Sequence, residues 1–423
     1  MANDFRTFRL VCSEEEAPIV ERLLKAQGFA FEPEPFYPLA RRLTAEPFPL
    51  GESFAARFGR IYIQDRSSML PPLMLAPPEG ASVLDMCSAP GSKTSLLSRL
   101  VGPRGFVFAS EPSADRLGTL RANLRRTGSV NTATAKAKAQ DLPFPDCSWD
   151  YIQLDPPCSG WGTVDKNPKV MEVWSESKTG PLVALQRTLL EKAADMLAPE
   201  GVVLYSTCTT NVKENEEQVA WALEHLDLEL EPLDEPEGFV FGEPLLSGMA
   251  GVLRVAEDSA GQGFFLARFR KKGAGCANPE KEVQERSLPG TPLNFSRMAG
   301  TEGCAVDRLP PGEVYEFGGK AFFLHEEALE RVPAGLRWQG HNIGKISGRG
   351  KNAVFRPSSM ARVLLNRKNQ DVLDLEDLGP LEKLLSGQSL SFHPGKGSVG
   401  LFYEGLPLCW LSRKGRRLLM ATK

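Results

Sequence analysis

No stretch of the 423-residue chain is apolar for the length a bilayer span requires, so a helical membrane protein is excluded by pattern. The first nine residues carry Asp4, Arg6 and Arg9 with no apolar core behind them, which does not fit a signal peptide. Cysteine is sparse. The eight stand at 12, 87, 147, 158, 208, 276, 304 and 409, never closer than eleven residues, so no CxxC or zinc-ligand spacing exists. Four scattered histidines add no metal motif. Free thiols throughout, a reducing cytoplasm and a metal-free protein are the expectations. GxGxxG and GxxxxGK[ST] are also missing, which leaves nicotinamide and P-loop nucleotides without support. Charge of one sign is lacking as well: the net is −3, weak grounds for a nucleic-acid partner.

What is present is ordinary globular composition, 42% hydrophobic and 24% charged, in a length that suits several domains. Thr7–Cys12 reads as a strand. Ser13 followed by three glutamates caps a helix over Ala17–Gln27, stopped by Gly28. Residues 1–75 thus form a small α/β unit.

From residue 76 to 272 apolar runs alternate with amphipathic stretches. Val83–Met86, Phe106–Ser110, Tyr151–Asp155 and Val202–Thr207 predict strands; Lys93–Val101, Ala114–Thr127 and Leu182–Leu197 predict helices. Such alternation gives βαβ units with right-handed crossovers and a doubly wound, mostly parallel sheet. Val252–Ala256 and Phe264–Phe269, around Gly261 and Gly263, predict an antiparallel edge hairpin. Residues 273–295 are polar and proline-containing, a linker, and 296–423 are glycine-rich with short strand-like runs, a small mostly-β domain.

Charge is partitioned. From Arg331 to Lys423 stand sixteen lysines and arginines against six acids, a net of +10, and the rest of the chain carries −13. A basic end on an acidic body suits a polyanion-binding module, and Arg413-Lys414-Gly415-Arg416-Arg417 concentrates four of the charges. A short charge run is as readily a solvated face; the excess over the whole segment is what favours binding.

The first strand of the central region runs into Cys87-Ser88-Ala89-Pro90-Gly91-Ser92-Lys93, a turn that presents backbone N–H groups at a helix N-terminus. Glu111, 26 residues after Asp85, ends the next strand, where an acid accepts ribose hydroxyls. Asp141 and Asp155 follow the next two. Acids at successive strand ends suit a ligand with an adenosine and a cationic centre, which points to S-adenosylmethionine.

Asp155-Pro156-Pro157-Cys158 carries a cysteine where amine methylases carry an aromatic residue, and the next strand ends in Ser206-Thr207-Cys208-Thr209. Adjacent strands bring both thiols to one crevice. Carbon 5 of a pyrimidine is a poor nucleophile until a thiolate adds to carbon 6; a second thiol can assist release, and Asp155 can stabilise charge on the ring. A single buried cysteine is usually packing; two on neighbouring polar strand ends are harder to explain so.

These residues resemble the Nop/Sun family of RNA cytosine-5 methyltransferases. The marks are Leu84-Asp85-Met86-Cys87-Ser88-Ala89-Pro90-Gly91-Ser92-Lys93-Thr94, Asp155-Pro156-Pro157-Cys158-Ser159-Gly160, Ser206-Thr207-Cys208-Thr209, then Gln186 with Leu189 and Leu190, and Gly263-Phe264-Phe265. The family more often has Ala at 88, Gly at 92 and a Pro-His pair where Glu257-Asp258 stand. The resemblance implies a seven-stranded Rossmann-like methyltransferase sheet, Cys208 as nucleophile and Cys158 as the group aiding product release. It also implies Asp155 as the group polarising the cytosine, and cofactor contacts from Cys87, Ser88, Ala89, Pro90, Gly91, Ser92, Lys93, Glu111, Asp141 and Asp155. Tyr62-Ile63-Gln64-Asp65 before Ser67-Ser68-Met69, and Gly405-Leu406-Pro407-Leu408 within Gly397–Leu419, are similar to the RsmF-like branch with its PUA-like RNA-binding domain. That branch implies ribosomal RNA of the small subunit as substrate; a monomer is the further expectation, in the cytoplasm already expected from the cysteine pattern. A tRNA enzyme, or a silent RNA-binding assembly factor, is the competing reading. A silent relative would be free to lose one of the thiols or acids, and this sequence keeps them all. A DNA cytosine-5 enzyme would have no use for Cys208.

Overall fold

A computed structural model describes residues 6–164, 169–173, 175, 178–256, 261–273, 289–333, 335–348, 350–368 and 371–420. Glu257-Asp258 and most of the 273–295 segment lie outside the described residues.

The first unit is a four-stranded antiparallel sheet of β1 (Thr7–Leu10), β2 (Ala30–Pro33), β3 (Ala40–Ala45) and β4 (Ile61–Ile63), in the order β2-β3-β1-β4. Its helix, Ala17–Lys25, starts through a reciprocal cap. Ser13 Oγ accepts the Glu16 N–H at 3.2 Å and Glu16 Oε2 accepts the Ser13 N–H at 3.1 Å. The helix buries Val20, Leu23 and Leu24.

The central sheet is built from β5 (Ser82–Asp85), β6 (Phe106–Ser110), β7 (Thr132–Ala135), β8 (Trp149–Leu154), β9 (Leu197–Thr207), β10 (Leu228–Glu231), β11 (Phe241–Gly242), β12 (Leu253–Val255) and β13 (Phe264–Lys271). Strands β7-β6-β5-β8-β9 are parallel neighbours in that order, β13 is antiparallel beside β9, and β10 is antiparallel beside β13. Those seven strands are the Rossmann-like methyltransferase sheet expected. The Thr-Ala-Thr-Ala strand β7 is too weakly apolar to be read as a strand by itself, although all four residues are buried.

Successive residues of these strands feed opposite cores. Val83, Val107, Val202 and Leu204 pack with Leu97 of helix Ser92–Leu100 on one face. Leu84, Phe108, Ile152 and Val203 pack with Leu189, Leu190 and Ala193 of helix Gly180–Met196 on the other. Both faces are covered, so the strands are apolar at nearly every position rather than alternating.

The antiparallel hairpin is present as β12 against β13, but β13 sits inside the sheet and not at its edge. The edge lies further out, where β11 pairs β12. At the opposite side the strand Trp338–Gln339, which comes from the C-terminal part of the chain, pairs antiparallel with β7. With these additions the sheet has ten strands.

The C-terminal part holds a five-stranded antiparallel sheet of Thr291–Pro292, Gly312–Phe317, Lys320–His325, His341–Ser347 and Val354–Pro357. A three-stranded sheet follows, in which Val372–Leu375 runs beside the long hairpin Leu390–Tyr403 and Leu406–Met420. The first of these strands starts inside the stretch read as linker. Leu401, Leu408 and Leu411 of the hairpin share one core with Phe8, Leu23 and Phe58 of the N-terminal unit. Buried Arg362 ties the same two parts, donating to Phe58 O at 2.7 Å and Gly59 O at 3.3 Å.

Two further sequence expectations need correction. Cys12, Cys87, Cys158, Cys208, Cys304 and Cys409 are free, but Cys147 is engaged in a disulfide; bonding depends on closeness in space, which no sequence spacing announced. Of the four basic residues at 413–417, Arg413 is no surface charge. It is buried, donates to both carboxylate oxygens of Asp371 at 2.6 and 2.9 Å, and so is neutralised within the fold.

Candidate active site

The carboxyl ends of β5, β6, β8 and β9 meet over one crevice, as a doubly wound sheet requires. After β5, Ser88 Oγ donates to Asp85 O at 2.7 Å and the Ser88 N–H reaches Ser110 O of β6 at 3.1 Å, folding the loop back across the sheet. Gly91 takes φ +100°, and a Cβ there would meet Leu120 Cδ1 at 2.8 Å, so the tight entry into helix Ser92–Leu100 is open only to glycine. Asp85 is buried beneath this loop with Thr94 Oγ1 donating to it at 2.7 Å, and burial raises its pKa to about 6.

Glu111, also buried, accepts the Ser113 N–H at 2.8 Å and lies 3.3 Å from the half-exposed Arg116 guanidinium. Cys87 lines the same loop, and burial first, then the surrounding acids, push its thiol well up, which suits a packed wall rather than a nucleophile. Asp141 ends the turn Ala139–Asp141 after β7 and is exposed. Among the described residues its side chain makes no hydrogen bond or ion pair.

The donor set fits an adenosine with a cationic centre. Carboxylates stand at Glu111, Asp141 and Asp155, and a glycine-dependent turn opens a helix N-terminus at Ser92.

Asp155 follows β8. Its Oδ2 accepts from Lys93 Nζ at 2.7 Å and its Oδ1 from Ser206 Oγ of β9 at 2.9 Å. Lys93 Nζ also lies 5.4 Å from the centre of the Phe264 ring. Burial lowers the Lys93 pKa, but Asp155 outweighs it and the ammonium is held above its ordinary value.

The two cysteines named from the sequence are brought together: Cys158 Sγ and Cys208 Sγ are 3.4 Å apart. The hydrogen bond from Cys158 is the leading cause that holds the Cys208 thiol below its ordinary pKa, with Lys93 adding to it against burial and Asp155. Cys158 is driven well above its ordinary value by the same bond and by burial. The Cys208 loop is clamped further, since Gly162 N–H donates to Cys208 O at 3.1 Å and Gly263 N–H to Gly162 O at 3.0 Å. A Cβ on Gly162 would lie 2.4 Å from Gly263 O.

Several site residues, most of them standing in the motifs, were given no role from the sequence. Phe264 stacks on Lys93, and Ser206 orients Asp155. Behind the thiols Glu214 accepts from Ser159, Gln186 and Asn211. The available signal was positional: Ser159 and Thr209 each directly follow a cysteine, and their hydroxyls are 2.7 Å apart. Among the described residues no three His, Cys, Asp or Glu side chains converge to hold a metal, and no helix is long and apolar enough to cross a membrane.

Residues 72–270 match the family described as 16S rRNA methyltransferase RsmB/F. The Ribosomal RNA small subunit methyltransferase F of Erwinia tasmaniensis is 34% identical over 346 residues, 74% of this chain and 71% of that protein. The protein of the same name in Vibrio vulnificus is 29% identical over 413 residues, 93% and 85% of the two chains. Among solved structures, a methyltransferase homolog from Pyrococcus horikoshii aligns with a TM-score of 0.53 at 34% identity, covering 63% of this chain and 86% of that one. The matched span runs from just before β5 to the end of β13 and so contains both cysteine loops: the chain belongs to the RsmB/F family of 16S rRNA methyltransferases.

Proposed function

We propose that the protein forms 5-methylcytosine in ribosomal RNA of the small subunit, as a monomer, without a metal and with S-adenosylmethionine as methyl donor. The observation that carries this reading is the 3.4 Å pair of unequal thiols, Cys158 and Cys208, beside the Lys93–Asp155 pair. Cys87, Ser88, Ala89, Pro90, Gly91, Ser92, Lys93, Glu111, Asp141 and Asp155 are the cofactor contacts in this reading. When bound, the cofactor supplies an electrophilic methyl group to the crevice.

The chain's own residues do the rest. Cys208, held as the readier thiolate, forms an S–C6 bond with the cytosine, and the C5=C6 electron pair becomes available at carbon 5. Asp155, oriented by Ser206 and Lys93, sits where it can bond ring nitrogen 3 or the exocyclic amine and stabilise charge during addition. Once carbon 5 carries the methyl group its proton must pass to solvent. The freed electron pair restores C5=C6, and the S–C6 bond breaks with sulfur leaving as thiolate. Cys158 is the group in reach of that sulfur to assist release. The basic C-terminal residues hold the RNA backbone. Bisulfite sequencing of total RNA from cells with and without the protein tests the reading. The expected result is loss of one or more methylated cytosines from the small-subunit RNA; a loss confined to tRNA would replace the substrate, and no loss anywhere would sink the activity.

A further inference from the structure

Glu214 is completely buried, and among the described residues the side-chain and N–H donors that reach its carboxylate are all neutral. A carboxylate taken out of water without a counter-ion persists only if hydrogen-bond donors replace the solvent. Four do so here. Ser159 Oγ at 2.5 Å and Asn211 Nδ2 at 3.0 Å donate to Oε1; the Ser159 N–H at 2.9 Å and Gln186 Nε2 at 3.0 Å donate to Oε2.

The donors come from three separate pieces of chain, and two of them carry the thiols. Ser159 directly follows Cys158. Asn211 lies three residues after Cys208, and Gln186 also donates to Pro157 O at 3.0 Å, fixing the loop just before Cys158.

The direction of the hydroxyl chain follows from proton counting. Ser159 has a single hydroxyl proton, and it goes to Glu214 Oε1. Ser159 Oγ must then accept from Thr209 Oγ1, 2.7 Å away, and Thr209 Oγ1 in turn accepts the Asn211 N–H at 3.3 Å. The residue after one thiol is thereby wired to the residue after the other, and both to Glu214.

We propose that Glu214 is a positioning residue for the two-thiol chemistry: its buried carboxylate draws the Cys158 and Cys208 loops together and sets the sulfur–sulfur spacing. The proposal rests on the thiol roles given above. It goes beyond them by assigning the spacing to a group that touches neither substrate nor sulfur.

Glu214→Gln keeps the size but turns an NH2 toward donors, so one side of the cradle must open. The expected outcome is a fall in kcat of about 10-fold or more, since sub-ångström misplacement of reacting groups is costly, with KM for RNA within about 2-fold. A covalent RNA–protein adduct should build up during turnover. In a Cys158→Ala background, where the adduct already persists, Glu214→Gln should add nothing to its yield, because both changes act at one step. A fold defect would instead add to the Cys158→Ala loss and reduce RNA and cofactor binding together.

Should Glu214→Gln not fold, Ser159→Ala serves. It removes the 2.5 and 2.7 Å bonds, leaves the N–H in place, and should show the same kcat fall and adduct. Wild-type turnover without adduct in either folded variant, or a defect entirely in KM, would overturn the proposal. Adduct in Cys158→Ala but none in Glu214→Gln or Ser159→Ala counts against Glu214 alone. No adduct in Cys158→Ala itself takes away the thiol assignment and the proposal with it.

Discussion

The Cys158 and Cys208 sulfurs lie 3.4 Å apart in hydrogen-bond contact, and the pair is unequal: Cys208 is favoured as thiolate and Cys158 as thiol. The residue chemistry alone left two interchangeable thiols; the asymmetry comes from position. Asp155 raises the pKa of both thiols; what differs is that Lys93 lowers that of Cys208 whereas Glu214 raises that of Cys158.

The asymmetry assigns opposite outcomes to two substitutions. Cys208→Ser should abolish methylation, a loss of at least about 10²-fold since a hydroxyl is far from its ionised form at neutral pH. Cofactor affinity should stay near that of the wild type. Cys158→Ala should still add to the RNA but release it slowly, leaving a retarded band on a denaturing gel. Were Cys208→Ser the variant that trapped RNA, the two roles would have to be exchanged.

The same bond fixes a pH response. The reactive form of Cys208 is the thiolate, so its alkylation by iodoacetamide should rise with pH through a pKa below the ordinary cysteine value. Cys158→Ala removes the leading cause of that depression. The rise should then shift to higher pH, which a rate–pH series on the two proteins would read. A profile that stays in place would mean that the neighbouring thiol does not tune Cys208.

How far the sequence foretells this site depends on what each residue needs. The cysteine loops and the acids at the ends of β5, β6 and β8 are legible because strand, turn and helix follow one another locally, and parallel strands deliver their ends to one place. Glu214 is not legible. It is one of 53 acids, and only the fold shows that its neighbours are Ser159 and Gln186, 55 and 28 residues away. The same holds for Trp338–Gln339, a two-residue strand whose partner β7 lies about 200 residues earlier. The charge run at 413–417 was visible, but the pairing of Arg413 with Asp371 is a tertiary contact 42 residues apart.

That correction changes how RNA binding by the C-terminal part is best tested. Deleting residues 296–423 would strip Trp338–Gln339 from β7 and take Leu401 and Leu408 out of the core shared with Phe8, so lost binding would be confounded with lost folding. Lys414, Arg416 and Arg417 are exposed instead. Changing all three to Gln should weaken RNA binding and lower the slope of log affinity against log salt by about 2, near 0.7 for each phosphate contact to a single strand. Arg413→Gln should lower stability with little change in slope. Filter binding across a salt series separates the two, and an unchanged slope in the triple variant removes this ribbon from the RNA footprint.

Asp85 gives a stability prediction with a definite sign. Its carboxyl is buried, and its pKa in the folded protein is about 6 against 3.8 for an ordinary aspartate, despite the hydrogen bond from Thr94. The native state therefore holds this proton more tightly than the unfolded chain does. Stability from that preference is complete below about pH 4 and is lost as pH rises through about 6. A raised pKa of this size corresponds to about 3 kcal/mol between the two limits. Asp85→Asn has no proton to lose. Its urea-unfolding free energy, compared with the wild type in the absence of cofactor, should therefore gain on the wild type by up to about 3 kcal/mol between pH 4 and pH 7. A difference between the two proteins that stays constant over that range would show that Asp85 ionises without cost beneath the cofactor loop.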